Sequence, residues 1–154
     1  MPEVAVSVHL AAPPERVWAL VSDMEAFPRY MASVESVRVL ERGEGHTLSE
    51  WVARLQGMRF RWVERDDFHP ALGRIDYRLV QGDLARFEGA WQLTPPPGAE
   101  GEAAATDVRL TCAFDFGLPM LAAMLDPVGR VLLRRNVEAM LRGLEAEVAR
   151  GSGA

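Results

Sequence analysis

A chain of 154 residues, 49% hydrophobic and 25% charged, has the composition of a soluble globular protein with room for one domain and a sizeable core. Its net charge of −5, with arginine supplying every basic side chain, excludes the broad electropositive surface of a general nucleic-acid binder, and no nucleic-acid partner is expected. A single cysteine, Cys112, excludes an internal disulfide and a cysteine-based metal cluster.

The first segment, MPEVAVSVHLAAPPE, shows neither a leader pattern nor an apolar run of membrane-spanning length, and no later window does. Together with the lone cysteine this predicts a cytoplasmic protein without a transmembrane segment, leaving transient contact with a membrane surface open. Val4, Val6, Val8 and Leu10 alternate with Glu3, Ser7 and His9, the period of a strand with one buried face. Ala12-Pro13-Pro14-Glu15 ends it and starts a helix, because proline suits the first turn and a carboxylate favours the positive end of the helix dipole. Val17, Trp18, Leu20 and Val21 form its apolar side, and residues 24 to 32 read as a second short helix interrupted by Pro28.

From Val34 to Phe116 the pattern is strand after strand, broken by Arg42-Gly43-Glu44-Gly45, Gln56-Gly57, His69-Pro70, Gln81-Gly82-Asp83 and Pro95-Pro96-Pro97-Gly98. Beyond Gly117, Val128, Leu132, Leu133, Val137, Met140, Leu141, Leu144 and Val148 recur at helical spacing, with Arg134, Glu138, Arg142 and Glu145 on the outer side. The predicted architecture is α+β: residues 1–150 form one domain in which a curved antiparallel sheet of about seven strands wraps a long terminal helix, followed by a frayed, disordered tail over 151–154.

A two-residue turn at Gln56-Gly57 puts Leu55 opposite Met58, Ala53 opposite Phe60, Trp51 opposite Trp62 and Ser49 opposite Glu64, all on one face. Arg54, Arg59, Arg61 and Arg65 then fall on the solvated face. A three-residue turn at Gln81-Gly82-Asp83 puts Tyr77 opposite Phe87 and Ile75 opposite Gly89, with Trp91 in the same row, while Val108, Leu110, Cys112, Phe114 and Phe116 form another inward row. Such walls enclose either a packed core or a cavity for an apolar ligand. Glu64 and Asp66 continue the inward parity beyond Trp62, and carboxylates are rarely buried alone, so they mark a hydrated mouth or the point where the sheet reaches solvent.

Three stretches, Ala12-Pro13-Pro14-Glu15-Arg16-Val17-Trp18, Asp23-Met24-Glu25-Ala26-Phe27-Pro28-Arg29-Tyr30 and Gly82-Asp83-Leu84 leading to Phe87-Glu88-Gly89-Ala90-Trp91, resemble the START-like (SRPBCC, Bet v 1-like) helix-grip superfamily. They are most similar to its polyketide cyclase/dehydrase and Coq10-type ubiquinone-binding branch. The resemblance implies a deep hydrophobic cavity between sheet and terminal helix. Aromatase/cyclases of this kind usually carry an inward arginine four residues after the central-strand tryptophan; here Asp66 stands there, and an anion cannot stabilise an oxyanion.

Cys112, inward in an apolar strand, reads as an inert core thiol rather than a nucleophile. His9, His46 and His69 are not spaced as a metal pair, and Asp66, Asp67 and His69 read as strand-end solvation rather than a metal site. The expected ligand-lining residues are Trp51, Met58, Phe60, Trp62, Tyr77, Phe87, Gly89, Trp91, Leu110, Cys112, Phe114, Val137 and Met140, with Trp18 outside the pocket and no cofactor or metal. The leading expectation is a non-catalytic binder or carrier of a lipid, quinone or polyketide-like aromatic. The alternatives are a cyclase/dehydrase using Glu64 or Asp66 as general base, and a ribosome-associated interaction module. Ligand identity, oligomeric state and any protein partner stay open at this point.

Overall fold

Period-2 alternation sets seven strands, β1 (Glu3–Leu10), β2 (Val34–Gly43), β3 (His46–Leu55), β4 (Met58–His69), β5 (Arg74–Gly82), β6 (Arg86–Thr94) and β7 (Thr106–Asp115). The computed structural model describes residues 3–55, 58–95, 105–115 and 119–152, with backbone alone for 55, 58, 119–130, 132, 151 and 152. All pairings are antiparallel and the sheet order is β1-β7-β6-β5-β4-β3-β2. Consecutive strands are neighbours from β2 to β7, and β1 closes against β7. Register shifts within β2 and opposite Val63/Glu64, where β5 carries the extra residue Val80, are bulges of the kind that bend a strand and re-aim its side chains.

Between β1 and β2 the chain forms α1 (Pro14–Ser22) and a 3₁₀ turn, Met24–Arg29, that contains Pro28. Pro14 opens α1, where its missing N–H is no loss, and Val17 and Val21, one turn apart, are both fully buried. The terminal helix α2 (Pro119–Ser152) packs on β1, β7 and β3. It runs two residues into the segment expected as tail, while 153 and 154 lie outside the described residues, as do Gln56, Gly57, Phe116 and the Pro96–Gly98 loop.

The lower half of α2 is seated by two contacts. Gly143 passes so close to the 3₁₀ turn that a Cβ there would lie 2.2 Å from the Tyr30 carbonyl oxygen. The Arg16 guanidinium of α1 donates to the Val148 carbonyl at 3.0 Å. Leu141, Leu144 and Val148 are buried beside Val17, Val21, Phe27 and Met31 in one apolar cluster. This anchoring leaves the upper part of the helix, from Leu133 to Met140, facing the aromatic side of the sheet.

The β3–β4 register is the expected one, with Trp51 opposite Trp62, Ala53 opposite Phe60 and Ser49 opposite Glu64. The β5–β6 register is not. Tyr77 lies opposite Gly89 and Ile75 opposite Trp91, two residues away from the expected pairing. The cause is that the ends of the β5–β6 connection bond to other strands instead of each other. Asp83 N–H donates to the Arg61 carbonyl and the Asp83 carboxylate accepts the Arg61 N–H, while Ala85 N–H reaches the Asp115 carbonyl. Leu84 is buried between them. Because the slip is an even number of residues, the inward parity survives.

Candidate functional site

Stacked indoles form the floor of the concave face: Trp51 and Trp62 lie 5.9 Å apart between ring centroids and 10° from parallel. Phe87 packs on Trp62 at 4.9 Å and on Tyr77 at 5.2 Å. Phe27, from the 3₁₀ turn, closes against Trp51 and Trp91. The Trp51, Trp62, Tyr77, Phe87 and Trp91 rings and α2 bound an apolar cavity of about 80 Å³.

Its walls are Trp51, Phe60 and Trp62 from the first hairpin, Tyr77, Phe87 and Trp91 from the next two strands, Leu110, Cys112 and Phe114 from β7, and Val137 and Met140 from α2. Of the other expected lining residues, the Met58 side chain lies outside the described residues, and Gly89 lines a groove on the opposite face of the sheet. The space beside Gly89 is no extension of the cavity. A Cβ there would sit 1.9 Å from the Thr111 carbonyl oxygen and 2.6 Å from the Tyr77 hydroxyl; the glycine lets that hydroxyl cross over and donate to Thr111 at 2.7 Å.

Several lining residues carried no such expectation. Val34, Ala53, Leu84, Leu133 and Asn136 reach the cavity, as does Glu64. Leu84 was hidden because its loop reads as a turn. Arg54, expected on the solvated face, borders the cavity with its side chain 53% exposed and paired with Glu35 at 3.1 Å. Among the described lining residues it is the one cation. Trp18 is absent from the lining and is half-buried on α1.

The expected hydrated mouth at Glu64 and Asp66 is overturned, since the two residues are 3% and 0% exposed. What holds them is a hydrogen-bonded chain running between β3 and β4. Trp51 Nε1–H donates to Ser49 Oγ at 2.9 Å, so the Ser49 hydroxyl hydrogen goes on to Asp66 Oδ2 at 2.6 Å. The Thr47 hydroxyl donates to the same oxygen at 2.9 Å. Trp62 Nε1–H donates to Glu64 Oε1 at 2.9 Å. Asp66 Oδ1 is buried without a hydrogen-bond partner, and the Asp66 side chain is a close neighbour of the Glu64 carboxyl.

Burial first, then the hydrogen bond and negative charge of Asp66, push the Glu64 carboxyl well above its ordinary range, against a smaller opposing effect of the Trp62 N–H. Beside it, burial pushes the Cys112 thiol up to about 12, partly offset by the Tyr77 hydroxyl and reinforced by Glu64. Burial also raises the Tyr77 phenol, which neighbours Cys112. The inner end of the cavity thus holds an acid, a phenol and a thiol, each biased by burial toward its protonated form. The arrangement suits proton donation better than the base role expected for Glu64.

Asp66, Asp67 and His69 do not converge: Asp66 turns inward, Asp67 accepts from Arg65 at 3.0 Å, and His69 Nε2 lies 3.3 Å from Asp76. Among the described residues no group of three His, Cys, Asp or Glu side chains is placed to hold a metal ion, and no helix is long and apolar enough to cross a membrane.

Residues 10–141 match the family described as polyketide cyclase / dehydrase and lipid transport. Over 129 residues the chain is 30% identical to the actinorhodin polyketide synthase bifunctional cyclase/dehydratase of Streptomyces coelicolor, covering 80% of this chain and 39% of that relative. Among solved structures, TTHA0849 from Thermus thermophilus is 34% identical with a TM-score of 0.88, over 98% of this chain and 99% of that one. The Zhui aromatase/cyclase of Streptomyces sp. R1128 is 25% identical with a TM-score of 0.80, over 96% and 93%.

Proposed function

The chain belongs to the polyketide cyclase / dehydrase and lipid transport family, in the START-like helix-grip superfamily, and from that premise we propose that it binds a hydrophobic, ring-bearing small molecule between the sheet and α2. The observation that carries this is the cavity itself: stacked Trp51 and Trp62, Phe60 and Phe87 on one side and Val137 and Met140 on the other, with one polar end. Flat aromatic walls of this kind favour flat ligands through offset and edge contacts.

Titration with naphthalene should quench or shift tryptophan emission. The response should vanish in Trp62→Phe and persist in Trp18→Phe, because Trp18 lies outside the cavity. Equal loss in both folded variants, or no response in the native protein, overturns the reading.

A second reading, proton-transfer catalysis in the cyclase/dehydratase class, draws support from the Glu64 carboxyl beside the cavity, which burial and Asp66 bias toward its protonated form. In it Glu64 acts as general acid toward a leaving hydroxyl or an enolising carbonyl, and Asp66 holds it in place. The S. coelicolor relative is more than twice as long as the matched region, so its full activity does not carry across by itself. Turnover of a poly-β-ketone by the native protein, lost in Glu64→Gln, supports this reading; a rate equal to that in buffer supports binding alone.

A further inference from the structure

The inward row of the first hairpin continues past the apolar cavity. On β3 it runs from Trp51, a wall of that cavity, to Ser49 and Thr47; on β4 it runs from Trp62 and Glu64, also walls, to Asp66. Thr47, Ser49 and Asp66 line a second pocket, of about 20 Å³, that shares no described residue with the first. Its far wall is Ser22 at the end of α1, then Asp23 and Glu25, with Arg42 on β2. The space has room for about one water, and its walls carry the polar partners a water needs. Asp23, Glu25 and Arg42 are exposed, so the pocket reaches solvent at that end. Asp66 stands between the two spaces, fully buried, with Oδ2 accepting the Ser49 and Thr47 hydroxyls and Oδ1 without a partner among the described residues. Glu64 lies two residues away on the same strand face and directly opposite Ser49, so the register itself sets the two carboxyls side by side.

We propose that Asp66 and this rear pocket form a proton passage, through which Glu64 exchanges its proton with solvent behind the sheet–helix cavity rather than through the cavity itself. This deepens the proton-transfer reading above and rests on its placement of Glu64 at the cavity. A carboxyl that gives a proton to a ligand has to recover one, and a ligand that fills an apolar cavity keeps out the water that would bring it. In the passage Asp66 Oδ1 takes a proton from water in the rear pocket and hands it to Glu64, and the hydroxide left behind is neutralised by solvent at the exposed end. One proton has then moved from bulk water to the ligand, and both carboxyls are back in their starting states. The other groups around Glu64 carry protons poorly. Tyr77, opposite Asp66 in the β4–β5 ladder, and Cys112 also border the groove on the outer face, but the Tyr77 hydroxyl donates to the Thr111 carbonyl, an oxygen that passes no proton on, and the thiol is pushed up to about 12. Across the rear pocket the charged groups are Asp23, Glu25 and Arg42, the last two paired at 3.6 Å.

The test is the rate at which the Glu64 carboxyl exchanges hydrogen for deuterium, read by infrared spectroscopy after rapid mixing into heavy water at about pH 5, above the ordinary carboxylate value. Isotope labelling of the glutamate carboxyls, with loss of the band in Glu64→Gln, assigns the signal. No turnover is needed, so a failed passage and a failed catalytic reading show in different measurements. Saturating naphthalene should leave the native rate unchanged. Ser22→Leu, which fills the rear pocket, and Asp66→Asn, which keeps the shape and an acceptor but carries no proton, should each slow exchange about tenfold, and further once naphthalene is bound. Weakened packing would instead speed exchange by opening the fold, so slowing is a signature that a structural role does not produce. Tyr77→Phe should not slow it. If naphthalene slows the native protein while Ser22→Leu does not, the proton travels through the cavity; if Tyr77→Phe slows it, the proton travels through the outer groove; either result overturns the passage, as does a native protein with no protonated Glu64 band. Should naphthalene fail to bind, the comparison of free native protein with Ser22→Leu still decides, and it does so even where Asp66→Asn does not fold.

Discussion

Burial and the neighbouring Asp66 both penalise the charged form of Glu64 and raise its pKa, and this ties stability to pH. Below about 4.3, the ordinary carboxylate value, Glu64 is protonated in both the folded and the unfolded chain and favours neither. As pH rises, the unfolded chain releases that proton while the folded protein keeps it, so a destabilising cost grows from the unfolded value up to the raised folded value and is constant above it. Glu64→Gln keeps an acceptor for Trp62 N–H and a donor for Asp66 without a titrating group. Its stability relative to the native protein should therefore climb as pH rises above about 4, levelling off once the folded Glu64 itself ionises, in urea denaturation. A pH-independent difference between the two proteins would mean that Glu64 is ionised in the fold.

At the scale of elements, the seat of α2 is the place most sensitive to a single methyl. Gly143→Ala would press a Cβ against the Tyr30 carbonyl, and backbone cannot swing aside as a side chain does. We expect about 1 to 3 kcal/mol of destabilisation, despite alanine being the better helix former, measured as a lowered denaturation midpoint. An unchanged or raised midpoint would show that the helix rides free of the 3₁₀ turn.

The sequence showed the first hairpin clearly because a two-residue turn leaves a single register, and that register placed Trp51 against Trp62. The same register set Ser49 opposite Glu64 and Thr47 opposite Asp66, so hydroxyls facing carboxylates were a legible sign that both acids are partnered and buried. It was outweighed by the general rule that acids seek solvent. The β5–β6 register was not legible, since it depends on Asp83 and Ala85 bonding to β4 and β7, contacts that no local pattern encodes. The meaning of Gly89 was hidden for the same reason. Its missing Cβ makes way for Tyr77 on the neighbouring strand, so the vacancy read from one strand is filled by another.

For the whole molecule, the informative feature is that β1, the first strand of the chain, pairs only with β7, Val4 lying opposite Cys112 and Leu10 opposite Thr106. Every other neighbouring pair in the sheet joins strands consecutive in sequence. Closing a loop of that length is entropically demanding, so the β1–β7 ladder should form after the meander from β2 to β7 has already assembled. Val4→Ala, at a buried position, should then lose about 1 to 2 kcal/mol of stability, and nearly all of it should appear as faster unfolding, with a φ-value below about 0.3 in stopped-flow chevrons. A value near 1 would place β1 in the folding nucleus instead. During synthesis the order has a sharper effect: Val4, Val6 and Val8 emerge before the other strands of this sheet and wait, with no strand to receive them, until β7 has emerged. Throughout that interval both hydrogen-bonding edges of β1 are unpaired, whereas in the folded sheet β7 covers one of them, so the nascent chain gives a holding chaperone more to grip.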